Sequence, residues 1–296
     1  MSRGGPQARG QKPQGVWEGG LSHEGGFLAV RIGWFSTGRD AAARDLLREA
    51  HRGMSDGFIQ AEVAFVFCSR ERGESPQSDR FLDLAKGLGL EVVTLSARRF
   101  EPALRRRDLE AWRERYHSRV ADLISPYRAE LIVLAGYMLI VSPGMCRTHT
   151  MINLHPALPG GPKGTWQDVI WRLIEEEAER TGAMIHIVTE ELDRGPVVTY
   201  CSFPIRGPSF DPLWEAKGGR SVKELKAQEG EKFPLFQLIR AEEVKREIPL
   251  IVITLKALAE GRVRVEGRRV LDARGVELPR GLDLSGEVEE YLRRRR

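Results

Sequence analysis

Three polar side chains occur at two points where a strand or a turn is expected to end. Asn153 and His155 alternate with apolar residues just before Pro156, and Asp193 follows His155 by 38 residues in a Leu-Asp-Arg-Gly-Pro segment. In an extended strand alternate side chains share one face, so Asn153 and His155 would project together. The proline disfavours helix at His155 and ends the strand, which places the histidine where open α/β sheets bind their ligands.

A carboxamide, an imidazole and a carboxylate together suit acyl transfer to an amine. Attack of an amine on an acyl carbon produces an oxyanion, which an amide N–H and a protonated imidazole can stabilise. The Asp193 carboxylate would raise the pKa of His155 towards working pH, so that the histidine could pass protons without any covalent nucleophile. The alternative is a strand-end histidine satisfied by a backbone carbonyl and an Asp-Arg-Gly-Pro segment that forms an ordinary turn.

The same residues carry a resemblance to a known family. The segments Asn153 to Pro159, Thr181 to His186 and Leu192 to Pro196 resemble the core of the folate-dependent formyltransferases, and most closely that of the phosphoribosylglycinamide formyltransferases. The resemblance covers the chain from about Arg31 to Arg262. It implies an enzyme of one-carbon metabolism.

The chemistry implied by the resemblance is a direct formyl transfer. The donor co-substrate would be 10-formyltetrahydrofolate, no metal would be needed, and the expected acceptor is the amine of glycinamide ribonucleotide in purine biosynthesis. Asn153 and His155 would hold the formyl oxyanion, and Asp193 would raise the histidine pKa and assist proton transfer. Three alternatives stay open: another amine such as an amino-sugar nucleotide, water as acceptor in a formyltetrahydrofolate deformylase, and a folate-binding regulatory homologue without catalysis.

A loop of small and charged residues is a candidate site for a substrate phosphate. Ser36, Thr37, Gly38 and Arg39 stand between a predicted strand and a predicted helix, where backbone N–H groups and the helix dipole favour an anion. An ordinary helix cap is the alternative. By the resemblance, glycinamide-ribonucleotide enzymes carry a Ser-Gly-x-Gly-Ser-Asn segment here, whereas this chain has one glycine and places Asp40 near the expected asparagine. A carboxylate facing a phosphate repels it, so a different acceptor amine stays open.

A second apolar segment is the candidate site for the folate. Tyr137, Met138, Leu139, Ile140 and Val141 follow a wholly apolar predicted strand. Apolar side chains and free backbone groups there could hold a flat heteroaromatic ring, and the resemblance matches the run to the pterin-binding segment of the family. Leu139 replaces the arginine usual in that segment, so backbone contacts are expected to persist and arginine contacts are not. Core packing alone is the alternative.

A late helical run is the third candidate region. The resemblance implies that a glutamate and a basic residue there contact the ribose and amine of glycinamide ribonucleotide, and Arg240 and Glu243 are the nearest residues for those roles. The helical pattern runs from Phe233 to Glu260 and is expected to break at Pro249. His186 is expected to be a core or supporting histidine without a catalytic role.

Apolar segments alternating with amphipathic ones predict how these residues are positioned. Strands are expected at residues 27–35, 61–68, 90–95 and 131–136, and helices at 41–51 and 104–124. This order predicts an α/β protein with a Rossmann-like, mostly parallel central sheet and helices on both faces, the formyltransferase fold. Residues 1–26 are expected to be a disordered leader, 27–266 the catalytic domain with a mobile insertion at 207–230 and a terminal hairpin at 261–267, and 267–296 a loose C-terminal tail.

Composition restricts the function classes. Of 296 residues, 41% are hydrophobic, and no run approaches the roughly 20 apolar residues of a membrane span, so a cytoplasmic protein without membrane partners is expected. Cys68, Cys146 and Cys201 are scattered and are expected to be reduced packing residues. Arg293 to Arg296 account for the net charge of +4, so nucleic-acid binding is not expected. The expected partners are small-molecule substrates, with a monomer or homodimer both open.

Overall fold

The computed structural model describes residues 29–294, and the expected leader at 1–26 lies outside them. The strands are β1 (Val30–Ser36), β2 (Ala61–Cys68), β3 (Val92–Thr94), β4 (Leu131–Leu134), β5 (Met151–His155), β6 (Arg180–Ile187), β7 (Val197–Pro204), β8 (Val263–Glu266), β9 (Arg269–Asp272) and β10 (Leu282–Asp283). The helices are α1 (Ala41–Ser55), α2 (Pro76–Gly87), α3 (Pro102–Arg107), α4 (Leu109–Ile124), α5 (Pro143–Thr148), α6 (Trp166–Glu175), α7 (Asp211–Lys217), α8 (Val222–Gln228), α9 (Pro234–Ala259) and α10 (Ser285–Arg293).

Eight strands form one sheet in the order β10-β7-β6-β5-β4-β1-β2-β3, while β8 and β9 form a separate hairpin. β6 is antiparallel to both β5 and β7, and the other neighbours in the large sheet are parallel. The predicted α/β fold with a mostly parallel sheet is therefore confirmed. β4 is buried along its whole length, as expected for a central strand covered on both faces.

The two faces of the sheet pack against different helices. Ile152 belongs to the core that contains α1 and α9, whereas Met151 belongs to the core that contains α4. Side chains alternate along a strand, so Asn153 and His155 share the face of Met151. The predicted common face of these two polar residues is thus the α4 side of the sheet.

Two expected helix boundaries are wrong. The helix expected at 104–124 is divided into α3 and α4, because the Asp108 carboxylate accepts a hydrogen bond from the Ala111 N–H and begins a new helix. α9 does not break at Pro249 but continues to Ala259. Proline removes one backbone hydrogen bond, and the apolar residues that follow it are buried against α1 and the sheet, which holds the helix together.

The expectation of a loose C-terminal tail is wrong for residues 269–293. β9 completes a hairpin with β8, β10 adds to the edge of β7, and α10 packs on α9 with Val288 buried. Hydrogen bonds between Arg262 and Glu287 hold α10 in place, since one guanidinium contacts both oxygens of one carboxylate. A short apolar helix face that the linear pattern does not reveal thus orders the segment.

Three further expectations concern residues 207–230, the cysteines and membrane spans. Residues 207–230 contain α7 and α8 with Trp214 and Leu225 buried, and the mobility of this segment stays a prediction. Cys68 and Cys201 are buried, Cys146 is half-buried, and all three are free thiols. Within the described part of the chain, every helix is too short or too polar to cross a membrane.

Candidate active site

The site begins at the carboxyl end of β5. In the antiparallel pairing with β6, Asn153 lies opposite His186 and His155 lies opposite Met184. The Nδ2 atom of Asn153 is 3.2 Å from Nε2 of His186. Directly paired residues on one sheet face contact one another, which explains why a histidine 33 residues away joins the predicted pair.

Asp193 reaches this face from the loop between β6 and β7. Its φ of +53° lies in the left-handed region, which aspartate tolerates better than most residues. At Gly195 a Cβ atom would lie 1.7 Å from the Ile187 carbonyl oxygen, so only glycine lets the loop fold back this closely. The Leu-Asp-Arg-Gly-Pro segment therefore does form a tight turn, and the turn directs the carboxylate towards the histidines.

The Asp193 carboxylate lies between two imidazoles. Its Oδ2 is 3.8 Å from Nδ1 of His155, and its Oδ1 is 3.6 Å from Nε2 of His186. The structure thus brings together Asn153, His155 and Asp193 and adds His186. His186 was expected to be a supporting residue, and its Nδ1–H donates to the Ile187 carbonyl at 2.9 Å, which leaves Nε2 to accept from Asn153.

The charge state of His155 differs from the expectation. Burial lowers its pKa, and this effect exceeds the rise caused by Asp193 and by the Pro162 carbonyl, so the net pKa is below the ordinary value of 6.5. The predicted net rise is wrong because the side chain is only 3% exposed. Burial also raises the pKa of Asp193, but its interactions with the neighbouring imidazoles of His186 and His155 lower it more, so this carboxyl is ionised at neutral pH.

A surface loop covers the Nε2 atom of His155. The Nε2–H of His155 donates to the Pro162 carbonyl oxygen at 3.2 Å. The two sequence-based interpretations of His155 therefore both apply. The backbone carbonyl of Pro162 accepts from its Nε2–H, and the Asp193 carboxylate lies beside its Nδ1. A ligand oxygen can reach Nε2 only when the Pro162 carbonyl moves away.

Two backbone N–H groups of the loop proposed for a phosphate already form hydrogen bonds within the protein. The Thr37 N–H donates to the Gly136 carbonyl at 3.0 Å, and the Gly38 N–H donates to Oγ of Ser36 at 3.1 Å. Asp40 caps α1, since its Oδ1 accepts from the Ala43 N–H at 3.0 Å. A carboxylate therefore already occupies the end of α1 that would attract an anion.

The segment proposed for a pterin is joined to that loop and exposes two side chains. The Met138 N–H donates to Oγ1 of Thr37 at 2.9 Å. Tyr137 and Val141 are buried, Leu139 is half-buried, and Met138 and Ile140 are 50% and 43% exposed. The five predicted residues therefore divide into buried anchors and an exposed apolar surface, and core packing alone does not describe them.

The buried His117 forms a hydrogen bond with Tyr137, one of the buried residues of the 137–141 segment. Tyr137 donates from its hydroxyl to Nε2 of His117 at 3.2 Å, and the Nδ1–H of His117 donates to the Arg113 carbonyl at 2.9 Å. Burial lowers the pKa of His117 to about 4, so the ring is neutral and can accept. No sequence signal marked this pair.

The residues proposed on α9 are not both accessible. Glu243 is fully buried between α9 and β6, where the Thr181 hydroxyl donates to its Oε1 at 3.3 Å, so it is not placed to contact a ribose. Burial raises its pKa well above the ordinary value. Arg240 is partly exposed, stacks on Trp166 at 4.7 Å and donates a hydrogen bond to Glu247. Glu247 was missed, although a spacing of seven places it on the same helix face as Arg240.

Comparison with known proteins assigns the family. Residues 31–207 match the formyl transferase family, and the chain belongs to it. The chain is 32% identical over 143 residues to phosphoribosylglycinamide formyltransferase of Escherichia coli K12, which is 47% of this chain and 62% of that one. It spans less than two thirds of the length of the relatives it matches, at 62%, 64% and 42%.

Solved structures support the fold. Glycinamide ribonucleotide transformylase 1 from Symbiobacterium toebii is similar, with a TM-score of 0.58 at 22% identity over 86% of this chain and 98% of that one. A formyltetrahydrofolate deformylase from Pseudomonas syringae pv. tomato has a TM-score of 0.54 at 19% identity over 82% and 66% of the two chains. The predicted formyltransferase fold is confirmed.

Proposed function

We propose that this protein transfers the formyl group of 10-formyltetrahydrofolate to the amine of glycinamide ribonucleotide. The observation that carries the proposal is the convergence of Asn153, His155 and Asp193, with the carboxylate 3.8 Å from the imidazole. The sequence similarity to phosphoribosylglycinamide formyltransferases supports this acceptor. The predicted cytoplasmic location, and a monomer or homodimer, stay predictions.

The proposed reaction needs an oxyanion site and a proton carrier. The acceptor nitrogen attacks the formyl carbon, a C–N bond forms, the carbonyl oxygen becomes an oxyanion, and the bond from that carbon to N10 of the folate then breaks. The amide N–H of Asn153 and the Nε2–H of His155 donate to the oxyanion after the Pro162 carbonyl has moved. The proton lost by the amine finally resides on N10.

The neutral state of His155 suits this sequence. With a pKa below the ordinary value, the ring begins as a neutral donor whose Nδ1 is free to take up a proton. The developing oxyanion and the ionised Asp193 both favour the imidazolium, so the pKa of His155 rises during the reaction and it can then return the proton to the leaving nitrogen. Asp193 thus acts mainly in the transition state.

The folate is proposed to lie on the exposed apolar surface of Met138 and Ile140. Its ring would meet backbone groups of the 137–141 segment, as the resemblance implies, with Leu139 in place of an arginine. Among the described residues, His, Cys, Asp and Glu do not form a group of three or more that could hold a metal ion. That the transfer uses no metal remains part of the proposal.

The decisive experiment follows a labelled formyl group with His155→Ala. The variant should lose about 10²- to 10⁴-fold in turnover while still binding folate, because proton transfer and one oxyanion donor are lost. His51→Ala, a histidine on α1 away from the site, is the matched control and should keep its turnover. A His155→Ala variant as active as the control would exclude the proposed role.

A second candidate function is favoured by one observation. The Asp40 carboxylate at the start of α1 disfavours a phosphate there, so a different amine, such as an amino-sugar nucleotide, is the alternative acceptor. Offering glycinamide ribonucleotide, amino-sugar nucleotides or water alone and locating the label distinguishes the acceptors. If Asp40 repels the phosphate, Asp40→Asn should lower KM for glycinamide ribonucleotide.

A further inference from the structure

A cavity lies at the amino end of β5, whereas His155 lies at the carboxyl end of the same strand. It has a volume of about 210 Å³ and is bounded by the end of α5, the start of β5, the end of β6 and the turn of the β8–β9 hairpin. We call it the hairpin cavity, and its walls include Cys146, Arg147, His149, Ile187, Val188 and Arg268. The proposed formyl transfer uses none of these six residues.

Two guanidinium groups at the mouth of the cavity share one carboxylate. Arg268 donates a hydrogen bond to Glu190, and Arg147 approaches the same carboxylate only to 3.7 Å, which is too long for a hydrogen bond. The arginine side chains are 60% and 59% exposed. Each guanidinium has five N–H donors, so a single carboxylate leaves most of them available to an anion.

The interior of the cavity is suited to a small organic molecule. His149 lies within hydrogen-bond distance of the Thr148 hydroxyl, with its Nδ1 2.9 Å from that oxygen. The same hydroxyl donates to the Gly144 carbonyl at 3.1 Å, so it accepts from the Nδ1–H of His149. Val188 and the Cys146 thiol, which pack on the α4 face of the sheet, add an apolar wall. A volume below that of most drug-sized pockets restricts the ligand to a small metabolite.

We propose that the hairpin cavity binds a small organic phosphate, with the phosphate on Arg147 and Arg268 and the carbon skeleton against Val188 and Cys146. Planar guanidinium forks match the oxygens of a phosphate and bind it in a bidentate manner. The phosphate replaces Glu190 as the partner of both arginines. This site lies at the amino end of β5, whereas the loop at Ser36 to Arg39 follows the carboxyl end of the parallel strand β1.

Occupancy of the cavity is linked to the Asp193 loop. The Val188 N–H donates to the Met151 carbonyl at 2.8 Å, and the Ile187 carbonyl accepts from His186. Glu190 precedes Asp193 by three residues in the same loop. Release of Glu190 from the arginines therefore changes the anchoring of the loop that carries the Asp193 carboxylate, and a bound phosphate should change turnover.

Calorimetry on the full chain with ribose 5-phosphate and inorganic phosphate tests the site, with ribose as the uncharged control. Arg147→Gln/Arg268→Gln should weaken phosphate binding by about tenfold or more. Arg106→Gln/Arg107→Gln removes the same charge from α3 and should change affinity by no more than about twofold. Arg39→Gln identifies any second binding event at the Ser36–Arg39 loop. Absence of binding to the unmodified chain, or equal weakening in both double variants, overturns the proposal.

Alkylation of the cysteines gives a second readout. Cys146 lines the cavity, while Cys68 and Cys201 are buried elsewhere and act as internal references. Ribose 5-phosphate should slow the labelling of Cys146 relative to labelling without it, as measured by mass spectrometry. An unchanged rate at saturating ligand contradicts occupancy of this cavity.

The link to Asp193 is tested separately by turnover. Ribose 5-phosphate should alter formyl transfer by the unmodified chain and not by Arg147→Gln/Arg268→Gln. Equal turnover with and without ligand overturns the link and leaves the binding site standing. A chain that transfers no formyl group would contradict the proposed function, whereas the calorimetric result would be unaffected.

Discussion

Two carboxyl groups on opposite faces of the sheet, the half-buried Asp193 and the fully buried Glu243, have pKa values shifted in opposite directions. Burial raises the pKa of Asp193, but its interactions with the imidazoles of His186 and His155 bring it below the ordinary value. Burial raises the pKa of Glu243 well above its ordinary value, and Arg240, 3.8 Å away, does not compensate. Burial alone therefore does not set the charge of a carboxyl group in this protein; the number and distance of its partners decide it.

The largest effect expected from this comparison is on turnover. Asp193→Asn removes the charge that stabilises the imidazolium of His155, so the rate of formyl transfer should fall by about 10²- to 10⁴-fold, measured as kcat. Glu243→Gln, the same chemical change at the buried carboxyl whose pKa is raised, should leave kcat nearly unchanged. Comparable losses in the two variants would show that the two regions do not differ as described.

The pH dependence of stability should have opposite signs at the two sites. The folded pKa of Glu243 is raised, so its contribution to the unfolding free energy is complete below its ordinary value of 4.5 and is lost as pH rises through the folded pKa. The folded pKa of Asp193 is lowered, so its contribution is present above 3.8 and is lost as pH falls through the folded pKa.

Chemical denaturation from about pH 5 to about pH 8 measures this difference. Glu243→Gln should remove part of the decline in unfolding free energy over that range, because glutamine cannot ionise. Asp193→Asn should leave the decline in place. A decline identical in the unmodified chain and in Glu243→Gln would mean that Glu243 does not titrate there.

The smallest expected effect concerns a third buried ionisable group, His117. Tyr137→Phe removes the hydrogen bond from the tyrosine to this neutral ring and loosens the anchor of the 137–141 segment. KM for 10-formyltetrahydrofolate should rise by about two- to tenfold with little change in kcat. Tyr127→Phe, near the amino end of β4, is the control. A fall in kcat at constant KM would assign Tyr137 a role other than positioning the folate segment.

The sequence predicts the sheet well because its buried strands are short apolar runs separated by helical periodicity. It predicts less well where tertiary packing overrides a local signal. Pro249 usually ends a helix, yet burial of the residues after it keeps α9 continuous. The apolar side of α10 is too short to stand out, although it orders the segment expected to be loose.

In the candidate site, too, the sequence reveals some residues, whereas other properties depend on tertiary packing. Asn153, His155 and Asp193 are recognisable because strand parity and a turn-forming glycine fix where their side chains point. The net pKa of His155 could not be predicted, since it depends on how deeply the covering loop buries the ring. The rotation of α9 about its axis, which buries Glu243 and leaves Glu247 beside Arg240, is set by packing against the sheet.

The short strand β10 affects the tendency of this protein to aggregate at high concentration. It pairs with β7 through Leu282 and Asp283, on the side of β7 away from β6. An uncovered strand offers a row of free amides and carbonyls to any other extended peptide. By shielding part of that row, the C-terminal segment protects the sheet against edge-to-edge aggregation.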